Sequence, residues 1–431
     1  MRLVSVLVCS IALVGAGCAS DDEPETVAPP TVSEPGTTEA RQAQVAPFVR
    51  LTGITTVDTY AQFGQGLALW QERVPRIEDV RIRSTADGSQ QPALWLSPQR
   101  LRPAPLLVVL HSWSSGYLQN SSIPFGAWAE QNGWAMIAPD FRGVNERPQA
   151  TGSDLAVQDV VDSIDFAVEQ GGIDEERVFV IGYSGGGMMS SLVASRHPDR
   201  FAGAASWVPV YDLVDWYGYV RDDLPQEAYA DQIIASCGGD PSVSSQAQES
   251  CRERSPRTHI ARARDAGLPI YLGYGLSDDR VPPHYAALAL NQLAEPAERL
   301  GAAAVRALSE RRLPDNLQGS VDTETYFGTA DPTVFFARAS GPVTLAFFDG
   351  GHDMVYHPGL EWMHRPLLRS VADAGCRNCR NGHGRRWDWL RYRFLARTCR
   401  AGNAHRSSPG SGHRGAVGKH FEGSMSRLSS E

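Results

Sequence analysis

Between Glu78 and Phe348 short apolar runs alternate with longer segments in which apolar residues recur every three to four positions. The first two runs, Val80-Arg81-Ile82-Arg83-Ser84 and Ala93-Leu94-Trp95-Leu96, flank Ala86-Asp87-Gly88 and predict an antiparallel hairpin. Leu106 to Leu110, Trp134 to Ala138, Val178 to Ile181 and Ala204 to Val208 are largely apolar at successive positions, as strands covered on both faces must be. Between them Phe125 to Asn132, Ser153 to Glu169 and Gly185 to Ala194 predict helices. Pro269 to Tyr274 and Val343 to Phe348 complete a set of eight strands. Strands separated by helices need crossover connections, so the expected fold is α/β, a mostly parallel eight-stranded sheet with helices on both faces.

Two segments break this rhythm. Tyr211 to about Arg264 is rich in aromatic residues, Gly and Ser, and is expected to form an inserted cap. Tyr285 to Leu308 predicts a helix, followed by an irregular stretch to Thr333.

The ends differ from the body. Arg2, the apolar run Leu3 to Val14 and the small residues Gly15-Ala16-Gly17 before Cys18 read as a signal peptide over residues 1–18, too short to span a bilayer. An exported protein is expected, periplasmic, held at a membrane or cell surface, or secreted. Cys18 after small residues resembles a lipobox, which makes it the candidate lipidation site, although Gly15 stands where that motif prefers Leu. Any membrane contact is expected through that anchor alone. Residues 19–46 are rich in Pro, Thr, Glu and Ala with almost no aromatics, the composition of a disordered linker. The folded domain is expected over residues 47–374. Residues 375–431 carry a dozen basic and three acidic residues, including Lys419, the single lysine of the chain. Three readings fit that segment: a solvated tail, a basic binding element, or GC-rich coding sequence translated in a shifted frame.

Apolar residues make up 42% of the 431 and charged residues 21%, enough for a sizeable core. A net charge of −9 argues against a nucleic-acid partner, which would call for a clustered basic face. Of seven cysteines, Cys237 and Cys251 lie in one segment, and an exported address favours a disulfide between them. Its closed loop of about 15 residues corresponds to roughly 3 kcal/mol of stabilisation. Cys376 and Cys379 with His383 lack the second half of a zinc-ligand set, so no metal site is expected.

Gly182-Tyr183-Ser184-Gly185-Gly186 carries the strongest chemical signal. A Gly-x-Ser-x-Gly pattern alone is close to chance, but this one follows a predicted strand and opens a predicted helix, as a nucleophile elbow requires. A serine hydroxyl needs a base oriented by a third group. Asp278, in Gly275-Leu276-Ser277-Asp278-Asp279-Arg280-Val281-Pro282 after the seventh strand, is the candidate acid, with Asp279 as the alternative. His352, on the Gly350-Gly351 turn after the eighth strand, is the candidate base, with His357 as the alternative. Two backbone donors should face the developing oxyanion: the N–H of Gly185, and that of Trp113 in the loop His111-Ser112-Trp113-Ser114. Trp207, Tyr211 and Trp216 are expected to line an acyl or side-chain pocket, or else to pack the cap core. No cofactor is expected.

From about Leu106 to Trp362 the chain resembles the catalytic domain of the prolyl oligopeptidase family, and neighbouring α/β-hydrolase esterases of the dienelactone-hydrolase and acetylxylan-esterase kind. The residues that carry the resemblance are Asp140-Phe141-Arg142-Gly143, Gln158-Asp159 with Asp162, Ile173-Asp174 leading to Arg177, the Ser184 elbow, Asp278 and His352. The resemblance implies an α/β-hydrolase fold and a serine hydrolase that forms an acyl-enzyme with a small ester or peptide. The family's peptidases place a β-propeller before the catalytic domain, whereas about 30 structured residues are expected before the hairpin here. A catalytically silent scaffold that binds a ligand or partner at the cell envelope is the other class the sequence admits.

Overall fold

The computed structural model describes residues 56–60, 64–99, 103–328 and 332–365. Residues 1–18, read as a signal peptide, with the candidate lipidation site Cys18, residues 19–46, read as a linker, and residues 375–431 lie outside the described residues.

Ten strands form one sheet: β1 (Glu78–Arg83), β2 (Gln90–Leu96), β3 (Ala104–Leu110), β4 (Ala135–Pro139), β5 (Ile173–Tyr183), β6 (Gly203–Trp207), β7 (Ile270–Gly275), β8 (Ser320–Val321), β9 (Val334–Ser340) and β10 (Val343–Phe348). Their spatial order is β1-β2-β4-β3-β5-β6-β7-β10-β9-β8. From β4 to β10 every pairing is parallel, while β1/β2, β2/β4 and β9/β10 are antiparallel. The expected eight strands are therefore corrected to ten. The two additional strands lie in and just after the stretch read as irregular. β8 has only two residues, too few for a periodic signal, and β9 lies on the edge side, where burial does not impose a continuous apolar run.

The helices in chain order are α1 (Val57–Tyr60), α2 (Leu67–Arg73), α3 (Ile123–Asn132), α4 (Asp154–Glu169), α5 (Gly185–Arg196), α6 (Leu213–Asp223), α7 (Tyr229–Cys237), α8 (Ser245–Glu253), α9 (Pro256–Ala266), α10 (His284–Leu293) and α11 (Ala302–Ser309), and residues 356–365 are also helical. The single helix expected near Tyr285 to Leu308 is thus two, interrupted at the 3-10 turn Pro296–Glu298, where proline cannot continue a helix.

Alternation along each central strand divides the core. Leu106, Val108 and Leu110 face a cluster with α4, α5, α9 and α10, whereas Leu107 and Val109 face a second cluster with Trp70, Phe125, Trp128 and Met363. Of the segment expected as a cap, α6 to α8 form the insertion. The following helix α9 packs on α5 and α10, so it belongs to the layer covering the sheet. Cys237 at the end of α7 and Cys251 in α8 are joined by a disulfide, with Cα atoms 5.3 Å apart.

Candidate active site

The parallel strands β5, β7 and β10 have their C-terminal ends on the same side of the sheet, which is where open α/β folds place their ligands. Ser184 follows β5 directly and sits at φ +58°, a left-handed conformation that is uncommon for a residue with a side chain. Its N–H donates to Trp207 O at 2.9 Å, and its carbonyl accepts from Met188 N as α5 begins. The turn is tight enough to exclude side chains. A Cβ at Gly182 would stand 2.2 Å from Gly186 O, so strand and helix could not approach with any other residue there.

His352 Nε2 lies 2.9 Å from Ser184 Oγ, and His352 Nδ1 lies 2.8 Å from Asp278 Oδ2. Asp278 is fully buried, and its Oδ1 accepts from the backbone N–H groups of Arg280 and Val281 at 2.9 Å each. These bonds fix the carboxylate plane and leave Oδ2 for the imidazole. Arg311 Nε donates to Asp278 O at 3.0 Å, and Tyr183 Oη donates to His352 O at 2.7 Å, so both loops are clamped from outside. The alternatives stand apart: the side chain of Asp279 is exposed, and it is His352, not His357, that faces Ser184.

Gly185 and Trp113 lie side by side. A Cβ at Gly185 would meet the Trp113 backbone nitrogen at 2.6 Å, and neither N–H has an acceptor among the described residues. The first N–H of a helix lacks an intrahelical acceptor, so Gly185 is free to donate outward. Trp113 O accepts from Asn145 N at 3.0 Å and from Asn145 Nδ2 at 3.1 Å. Beneath this loop His111 stacks on Phe141 with ring centroids 3.9 Å apart, and burial pushes the His111 imidazole below its ordinary pKa.

Arg142 anchors the neighbouring loop. Its guanidinium binds the Asp159 carboxylate, the Ser84 hydroxyl at 3.0 Å and Asp87, whose hydrogen bonds raise the Arg142 pKa. Asp159 is pushed up by burial, against the lowering effect of Arg142. The motif residues Arg142, Asp159 and Asp162 thus tie β4 and α4 to the first hairpin rather than touching Ser184.

The three residues read as pocket lining or as cap core are all buried in the core clusters. Trp207 shares a strand face with Ala205 and is buried against Tyr271, Phe327 and Phe348 in the second core cluster, under the sheet. Tyr211 is buried in the first cluster, its hydroxyl bonded to Gln292, and desolvation raises its pKa. Trp216, in the first cluster with Tyr211, packs edge-on against Trp113 at 4.8 Å and donates from Nε1 to Arg280 O at 2.9 Å, which joins the Trp113 loop to the Asp278 loop. A cavity of about 570 Å³ lined by Asp212, Asp215, Arg252 and Arg257 does not include Ser184 or His352. Among the described residues no group of three or more His, Cys, Asp or Glu side chains could hold a metal ion, and no helix is long and apolar enough to cross a membrane.

The fold, with a serine after β5, an acid after β7 and a histidine after β10, defines the class of α/β-hydrolase serine hydrolases. Residues 126–308 match the model of the prolyl oligopeptidase family. The matched region contains Ser184 and Asp278; His352 lies beyond its end. Acylamino-acid-releasing enzyme 2 of Oryza sativa subsp. japonica is 29% identical over 210 residues, 46% of this chain and 26% of that relative. Acetylxylan esterase A of Emericella nidulans is 27% identical over 122 residues, 26% of this chain and 40% of that relative. The solved acylaminoacyl peptidase of Pyrococcus horikoshii superposes with a TM-score of 0.45 at 15% identity, covering 75% of this chain and 45% of that one. The chain thus spans about a quarter of the length of the acylamino-acid-releasing relatives it matches.

Proposed function

We propose that this chain is an exported serine hydrolase that cleaves a small ester or peptide through an acyl-enzyme on Ser184. The observation that carries the reading is the continuous chain of hydrogen bonds from Ser184 Oγ through His352 to Asp278. In this mechanism His352 Nε2 takes the Ser184 proton as Oγ bonds to the substrate carbonyl carbon. The oxyanion so formed accepts from Gly185 N–H and Trp113 N–H. Collapse of the tetrahedral species breaks the bond to the leaving group, which takes the proton from His352 and departs. Water, deprotonated by His352, then attacks the acyl-Ser184 ester and releases the acid and free Ser184. Asp278 holds the imidazole with its proton on Nδ1 and stabilises the imidazolium in each half-reaction.

Relatives named as acylamino-acid-releasing enzymes and as an acetylxylan esterase support both amide and ester chemistry. Export is supported by the apolar segment before Cys18 and by the cap disulfide, since disulfides persist in oxidising compartments. Lipidation at Cys18 is part of this proposal, and loss of fatty-acid labelling in Cys18→Ala tests it. The substrate class is tested by parallel turnover of short p-nitrophenyl esters and peptide p-nitroanilides, with Ser184→Ala as control. Turnover of at least one series that disappears in the variant is expected; equal turnover by the variant would overturn the proposal.

A further inference from the structure

Helix α7 of the cap presents one face to the loops beside Ser184. Residues three and four apart share a helix face, and Tyr229, Gln232 and Ser236 lie on such a stripe. Tyr229 packs on Trp216 with ring centroids 5.3 Å apart, Gln232 Oε1 accepts from Trp113 Nε1 at 2.7 Å, and Ser236 Oγ bonds Thr151 Oγ1 at 2.8 Å. Thr151 in turn donates its backbone N–H to Asn145 Oδ1, the residue that holds the Trp113 carbonyl. Trp113 is therefore gripped at both ends, its carbonyl by Asn145 and its indole by Gln232, while its N–H is left without an acceptor among the described residues. The ring is 3% exposed and wedged against Trp216, so the indole cannot turn without breaking the bond to Gln232.

We propose that Gln232 is a positioning residue for the reaction, setting the Trp113 N–H toward the oxyanion through the indole ring, so that the cap is a working part of the oxyanion site. This inference rests on the reading of Ser184 as nucleophile and of Trp113 N–H as oxyanion donor. A preorganised donor contributes only when aimed where charge develops, and a misplacement of about 1 Å costs on the order of a hundredfold in rate. An interaction made in the transition state alone shows in kcat and not in KM. Gln232 reaches the Trp113 loop from helix α7, so its removal changes the aim of the donor and removes neither donor nor nucleophile.

The test is a double-substitution cycle on the full chain. Gln232→Leu removes the acceptor; Trp113→Phe removes the indole N–H and keeps the backbone donor. Each is expected to lower kcat about ten- to a hundredfold with KM within about twofold, and to weaken a boronic-acid analogue of the tetrahedral species by the same factor. The double variant is expected to cost no more than either single one, because both break one bond. Gln232→Glu, which keeps an acceptor, is expected to restore most of the rate. If Gln232→Leu does not fold, analogue affinity in Trp113→Phe decides: unchanged affinity overturns the inference. Wild-type turnover in Gln232→Leu, or losses that multiply in the double variant, also overturn it while leaving the nucleophile reading intact. A wild-type chain without Ser184-dependent turnover overturns that reading first and this inference with it.

Discussion

Asp278 and His352 are 74 residues apart in the chain, yet their side chains meet at 2.8 Å because β7 and β10 are parallel neighbours whose last residues, Gly275 and Phe348, are paired in register. The long insertion between the two strands is absorbed by α10, α11, the strand β9 and the edge strand β8, none of which separates the two loops. Asn at position 278 would keep the bonds to Arg280 N and Val281 N but could present an amide to the imidazole and favour the wrong tautomer. Asp278→Asn is expected to lower kcat by about 10³ to 10⁴ with little change in KM or melting temperature. Steady-state kinetics on the better chromogenic substrate check this; a loss below tenfold contradicts the assigned role.

Gly185→Ala tests the oxyanion geometry from the other side. The added methyl would stand 2.6 Å from Trp113 N and 2.7 Å from its Cα, so one of the two backbones must move. A fall in kcat of at least about tenfold is expected, since backbone rather than a flexible side chain is displaced. Retention of full activity, measured beside circular dichroism of the folded variant, would show that the two peptide groups are not the donors.

Much of this site was legible before the fold was known. Ser184, Asp278 and His352 could be chosen because each follows an apolar run and sits on a glycine-rich or loop-forming segment, and local pattern is what a sequence displays. Trp207 was not legible. It closes an apolar strand among other aromatics, and which face of β6 it takes depends on register with β5 and β7, a long-range property. Gln232 escaped for a related reason: its partner Trp113 is 119 residues away, and a polar residue on a cap helix reads as solvent-facing. The i, i+3, i+7 spacing of Tyr229, Gln232 and Ser236 was visible, but without a known neighbour it pointed nowhere.

The disulfide ties α7 to α8 and so steadies the face that carries Gln232. Replacing Cys237 and Cys251 together by serine is expected to destabilise the fold by roughly 2–4 kcal/mol. Denaturant unfolding with and without reductant measures this. Reductant should lower the midpoint of the wild type and leave the double variant unchanged; equal midpoints in all four conditions contradict a structural role.

Acidification should also destabilise the fold before its carboxylates titrate. Burial lowers the pKa of His111, and of His197, below the ordinary value near 6.5, so the unfolded chain takes up protons more readily than the native one. Their contribution is full above about pH 6.5 and is lost as the pH falls through that value toward the native pKa. The melting temperature is expected to drop between about pH 7 and pH 5.5; a rise over that interval would contradict imidazoles held neutral by desolvation, buried at His111 and half-buried at His197.

The central claim is that Ser184 is a nucleophile activated by His352. Its most direct measurement is covalent labelling of the folded chain with a fluorophosphonate, followed by mass mapping of the modified peptide. The adduct is expected on Ser184, with labelling lost in Ser184→Ala and slowed by orders of magnitude in His352→Ala. An unmodified Ser184 in a chain shown to be folded, or an adduct on another residue, would contradict the account.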